Sequence, residues 1–153
     1  MPDKILVVED DPTLLQSIVQ LLTLDGYDIT TAIDGEEGIK EFKKGNFDVV
    51  VTDVKMPKIN GIEMMKALKA FDSSAEIIVI TGFGTMSMTI EVMRLGAYDF
   101  LKKPEDLPHR LRHTVEHALE KRALSLKNQE LLEVLEDQIM DKTQEANWLA
   151  TQH

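Results

Sequence analysis

Short apolar runs alternate with amphipathic stretches along residues 4–102, the pattern of a parallel sheet covered by helices. Ile5-Leu6-Val7-Val8 reads as a first strand. Asp11-Pro12 then opens a helix whose Leu14, Leu15, Ile18, Leu21 and Leu22 repeat at helical spacing as far as Gly26. Tyr27 to Ala32 alternates apolar and polar, as an edge strand does, and Glu36 to Lys44 is a short helix before Gly45. Val49-Val50-Val51 is apolar without alternation, which predicts a strand buried on both faces. Ile62 to Ala70 is the next helix and Ile77 to Ile80 the fourth strand. Met86 to Leu95 is a helix ended by Gly96, and Tyr98 to Leu101 the fifth strand. The pattern is an α/β fold of five βα units in one doubly wound layer.

After Pro104 the character changes. From about Leu107 to the mid-140s the composition favours helix throughout, with no glycine. Roughly forty helical residues extend about 60 Å, against ~30–35 Å for the preceding domain, so the second half is expected to meet solvent or a partner. Leu124, Asn128, Leu131 and Leu135 fit a d-a-d-a seam, while Leu132, Leu135 and Ile139 fit a competing register. The expected division is residues 1–120 as a domain and 121–153 as a helical extension. That extension is a coiled coil joining a homodimer, or a linker toward an output domain outside these residues.

Composition narrows the function classes. The 153 residues hold one domain of ordinary size and about thirty residues more. With no cysteine, a disulfide framework and a thiolate metal site are both excluded. No apolar stretch approaches the ~18–20 residues of a membrane span, and no signal-peptide pattern precedes the first strand, so a cytoplasmic chain without membrane contact is expected. A net charge of −10 argues against nucleic-acid binding through this segment, since phosphate contacts need clustered Lys and Arg.

Chemistry concentrates where strands end. Asp53 closes the run Phe47-Asp48-Val49-Val50-Val51-Thr52-Asp53, a costly place for a carboxylate. Glu9 and Asp10 follow the first strand, Thr81 ends the fourth and Lys103 follows the fifth. In an open parallel sheet ligands bind outside these carboxyl ends, so the residues converge on one edge. Carboxylates forced together repel unless a divalent cation neutralises them, and hard oxygen ligands suit Mg2+. Asp10 and Asp53 are the expected direct ligands, with Glu9 acting through water and the Lys55 backbone carbonyl completing the protein side. Asp53 is also the expected nucleophile, forming an acyl phosphate while the ion and Lys103 stabilise the transition-state charge. Asp11, just before Pro12, reads simply as a helix cap.

Those residues carry a resemblance. Ile5 to Asp11, Asp53-Val54-Lys55-Met56-Pro57 with Gly61, Thr81-Gly82, and Leu95 to Pro104 resemble the receiver domain of two-component response regulators, from about residue 3 to residue 120. The resemblance implies a flavodoxin-like fold of strand order 2-1-3-4-5, and transfer to Asp53 from a phosphohistidine on a sensor histidine kinase or phosphotransfer protein. It assigns Glu9 and Asp10 as the acidic pair, Thr81 as the switch hydroxyl, Lys103 as the phosphate-pairing lysine and Phe100 as the aromatic switch residue. It also implies a cis bond between Lys103 and Pro104. Glu105 departs from the family pattern, in which an aromatic residue is common there. A domain of this kind catalyses only its own phosphorylation and slow dephosphorylation.

Two rival readings use the same residues. A haloacid-dehalogenase-like phosphatase also has an aspartate nucleophile with magnesium, but it needs a second aspartate two residues on, where this chain has Lys55. A pseudo-receiver would keep the fold and bind without being phosphorylated. One further pattern stands apart: His109, His113 and His117 recur every four residues, a spacing able to bind zinc or nickel. They lie opposite the apolar stripe of Leu107, Leu111, Val115 and Leu119, on what reads as a solvated face.

Overall fold

The computed structural model describes residues 3–56, 58–82, 84–103 and 106–151, with side chains as far as residue 144. Five parallel strands form one sheet of order β2-β1-β3-β4-β5, from β1 (Lys4–Val8), β2 (Asp28–Ala32), β3 (Val49–Asp53), β4 (Glu76–Thr81) and β5 (Asp99–Lys102). The intervening helices are α1 (Pro12–Thr23), α2 (Gly35–Lys44), α3 (Gly61–Phe71) and α4 (Met86–Arg94), and α5 (His109–Thr151) follows the last strand. Contacts divide the chain into two compact units, Met1–Arg122 and Ala123–His153.

The strands sort their side chains by parity, because successive residues point to opposite faces. Ile5, Val7, Val49, Val51, Ile78 and Ile80 pack with Ile18 and Leu22 of α1 and with Leu111, Val115 and Ala118 of α5. Leu6, Val8, Val50, Ile77 and Val79 pack with Phe42, Met64, Leu68 and Val92 on the other face. Every residue of β3 and β4 is buried, as expected of central strands covered on both sides.

Helix starts lie at the same sheet edge as strand ends, and polar side chains cap them. Asp11, Asp34, Asn60 and Thr85 accept the N–H groups of Thr13, Glu37, Glu63 and Met88. Asp11 is thus the cap that its place before Pro12 predicts. Gly26 and Gly96 adopt φ of 81° and 99°, the left-handed region that lets the chain turn after α1 and α4.

The last helix starts two residues later than its composition predicts. Pro108 is the reason: it closes a turn in which the Leu111 N–H reaches the Asp106 carbonyl, and regular helix begins at His109. The Leu107–Pro108 bond is cis. In the second unit Leu124, Leu131, Leu135 and Ile139 are between 51% and 64% exposed. Among the described residues no helix is long and apolar enough to cross a membrane.

Candidate functional site

The strand order places the switch point between β1 and β3, since the chain leaves β1 for β2 on one side and reaches β3 on the other. Glu9 and Asp10 leave the carboxyl end of β1 and Asp53 ends β3 beside them. Thr81 ends β4, and Lys103 follows β5 with its N–H on the Thr81 carbonyl at 3.0 Å. Four strands therefore deliver all five residues to one edge.

One carboxylate oxygen from each of Glu9, Asp10 and Asp53 lies within 4.8 Å of the other two, the one such group of three among the described residues. Glu9 and Asp53 are buried and Asp10 is exposed, so the cluster opens to solvent on the Asp10 side. Lys103 Nζ donates to Asp53 Oδ2 at 2.9 Å and to Glu9 Oε2 at 3.0 Å. The other Asp53 oxygen, Oδ1, accepts the Val54 N–H at 2.6 Å. Asp53 is thus gripped at both oxygens, by backbone on one side and ammonium on the other.

Burial pushes the Glu9 carboxyl up to about 7; the Lys103 hydrogen bond opposes this and the Asp53 charge reinforces it. Burial also acts against the Lys103 charge, but its hydrogen bonds to Asp53 and Glu9 outweigh that and raise its pKa. One lysine thus shares two buried carboxylates with a third nearby, an arrangement short of positive charge. Its all-oxygen donor set and open side fit a hard divalent ion that keeps water ligands. Lys55 lies on the wall of an adjoining cavity of about 560 Å3, together with Asp10, Val54 and Met56.

The main chain under Asp53 is held by a contact that only glycine permits. Gly61 donates its N–H to the Val54 carbonyl at 2.8 Å, and a Cβ there would collide with the Asp53 carbonyl oxygen and lie 2.9 Å from Val54 Cα. Overpacking against backbone costs about 1–3 kcal/mol. Gly61→Ala should destabilise the domain by at least that amount in denaturant unfolding.

Thr81 is buried at the end of β4 and Phe100 is buried in β5. A Cβ on Gly84 would lie 2.6 Å from Phe100 Cζ and 3.3 Å from the Thr81 methyl, so Gly84 packs close against both side chains. The Phe100 ring also lines a cavity of about 490 Å3 with Gly84, Met86, Lys102 and Arg110. Gly84 is a contact that sequence reading missed; its only trace was the pair Gly82 and Gly84 after an apolar strand. Pro57, Phe83, Pro104 and Glu105 lie outside the described residues, and with them the expected cis bond at Pro104.

Residues 5–116 match the response regulator receiver domain family. The C4-dicarboxylate transport transcriptional regulatory protein DctD of Pseudomonas aeruginosa is 38% identical over 128 residues, which is 84% of this chain and 28% of that protein. The chain thus spans little more than a quarter of that relative. A response regulator receiver domain protein from Clostridium thermocellum aligns with TM-score 0.75 at 34% identity, covering 80% of this chain and 98% of the other. The beryllofluoride-activated NtrC4 receiver domain dimer aligns with TM-score 0.73 at 34% identity, covering 78% and 98% respectively.

Proposed function

The chain belongs to the response regulator receiver domain family of two-component signalling, and we propose that Asp53 is its phosphoacceptor, taking a phosphoryl group from a phosphohistidine of a sensor histidine kinase or phosphotransfer protein. The observation that carries this reading is the Asp53 carboxylate, held by Val54 N–H and Lys103 Nζ inside an acidic cluster at the sheet's switch point. One Asp53 oxygen attacks phosphorus as the phosphorus–nitrogen bond breaks, and the electron pair stays on the departing imidazole. Mg2+ held by Asp10 and Asp53, with Glu9 through water and the Lys55 carbonyl, would offset the charge of carboxylates and phosphoryl oxygens. Lys103, already on Asp53 Oδ2, is placed to follow the developing negative charge. Two residues beyond Asp53 stands Lys55 rather than the aspartate that a haloacid-dehalogenase-like phosphatase needs there, which favours the phosphoacceptor reading over that rival.

Residues 1–120 are the receiver in this reading, and 121–153 the helical extension. Thr81 and Phe100 form the switch: a phosphoryl group that draws the Thr81 hydroxyl also moves the methyl lying against Gly84, and Phe100 packs on that same loop. The DctD relative is a transcriptional regulatory protein, and this chain's helical extension is either a coiled coil that joins two copies or a linker toward an output domain outside these residues.

Separate variants test the two roles. Lys103 contributes a charge-assisted contact and Thr81 a neutral one, roughly twofold weaker. Lys103→Ala should lose most of the phosphorylation rate with acetyl phosphate. Thr81→Ala should still be phosphorylated, but should lose the beryllofluoride-induced chemical-shift change at Phe100. Equal behaviour of the two variants in both assays would remove the distinction.

A further inference from the structure

Three of the chain's four histidines fall on one stripe of α5 that the phosphoryl site does not use. At 3.6 residues per turn, His109, His113, Glu116, His117 and Glu120 occupy an arc of about 100°. All five are exposed, whereas Leu111, Val115 and Ala118 on the opposite side are buried. The stripe is therefore not a by-product of core packing. The nearest basic side chains on this helix are engaged elsewhere: Arg110 faces Asp106 at 3.5 Å, Arg112 holds Asp25 at 2.6 and 3.0 Å, and Lys121 holds Glu76 at 3.3 Å. Imidazoles and carboxylates are left side by side.

Within the stripe one pair is already together. The His113 and His117 rings have centroids 4.2 Å apart and planes tilted by 51°. An ion held by two imidazole nitrogens at about 2.0–2.1 Å needs those nitrogens roughly 3–3.4 Å apart, within reach of these rings by side-chain rotation. His117 Nδ1 faces Glu120 Oε2 at 3.6 Å. A carboxylate that closes this gap to a hydrogen bond fixes the tautomer and leaves the other nitrogen as ligand.

We propose that His113 and His117 chelate a nitrogen-preferring divalent transition ion, Cu2+, Ni2+ or Zn2+, with Glu120 orienting His117 through Nδ1 and water completing the coordination. The ion clips one turn of α5 just ahead of Ala123, where the second compact unit begins. Imidazole suits these ions and oxygen clusters suit Mg2+, so this site and the acidic cluster select different metals.

The test is Cu2+ and Zn2+ titration of the whole chain in excess Mg2+, which keeps the acidic cluster occupied, with the Cu2+ form read by electron paramagnetic resonance. One Cu2+ per chain with coupling to two nitrogens is expected, unchanged in Asp53→Asn. His113→Gln with His117→Gln should abolish that signal while leaving the circular dichroism unaltered, since both side chains are exposed. Glu120→Gln should weaken binding by up to about tenfold, the lower end of the range for losing an outer-shell partner. Undiminished binding in the double histidine variant, or binding lost in Asp53→Asn and retained in the histidine variant, overturns the proposal.

Discussion

Asp53→Asn is expected to abolish incorporation of phosphate from acetyl phosphate while leaving the fold intact. An acyl phosphate needs a free carboxylate, and an amide cannot supply its nucleophilic oxygen. The packing cost should be small, because asparagine keeps an oxygen at Oδ1 for the Val54 N–H. Lys103 keeps Glu9 as a partner at 3.0 Å, so its ammonium is not left buried and alone. Removing one of three adjoining carboxylates also relieves repulsion. The unfolding midpoint in magnesium-free buffer should therefore match or exceed that of the wild type. Chelating Mg2+ from the wild type should suppress labelling too, through a different route, since carboxylates and phosphoryl oxygens would then repel. Intact-mass measurement after acetyl phosphate treatment decides the matter: an Asn variant labelled to the wild-type extent would move the acceptor elsewhere.

Much of this site can be read from residue order alone, and the reason is geometric. In a parallel sheet every strand ends at the same edge, so polar residues closing apolar runs meet in space whatever their separation in sequence. Glu9, Asp10, Asp53, Thr81 and Lys103 obey that rule. The two-faced burial of Val49-Val50-Val51 follows for the same reason, since helices cover both sides.

Contacts that depend on one atom's approach are a different matter. Gly61 against the Asp53 carbonyl, and Gly84 against the Phe100 ring, are set by loop paths that no periodicity encodes. Phe100 itself reads as a strand aromatic, and only the structure turns its ring toward Gly84. Arg122 is similar: its guanidinium meets Asp48 at 3.2 Å and the Ser74 carbonyl at 3.0 Å, partners on separate turns of chain. The late start of α5 at Pro108 is a local effect, one ring and one missing N–H set against a long run of favourable residues.

Leu131→Glu combined with Leu135→Glu should convert a dimer of this chain into a monomer. Both residues are more than half exposed, as are Leu124 and Ile139, and water is a poor partner for such a row. Burying a leucine is worth about 1.5–3 kcal/mol. A symmetric pair of chains loses four leucines in the double variant. That exceeds the roughly 4 kcal/mol separating micromolar from millimolar affinity.

Leu124, Asn128, Leu131, Leu135 and Ile139 advance by four, three, four and four residues. The two competing heptad registers thus join into one stripe through a stutter, which relaxes left-handed supercoiling locally. The segment that carries that stripe is acidic overall, with Glu130, Glu133, Glu136, Asp137 and Asp141 against Lys127 and Lys142, although Glu130, Glu133 and Asp137 lie on the side away from the stripe. Two copies therefore repel at low salt, and their association should strengthen as ionic strength screens the charge, the opposite of what a basic partner helix would show. Truncation after Arg122 keeps both apolar clusters of the sheet and should give a monomer that is still phosphorylated. Sedimentation with and without beryllofluoride, at two salt concentrations, measures all three effects. A wild-type chain that stays monomeric at tens of micromolar under every condition would reserve this row of leucines for a partner other than itself.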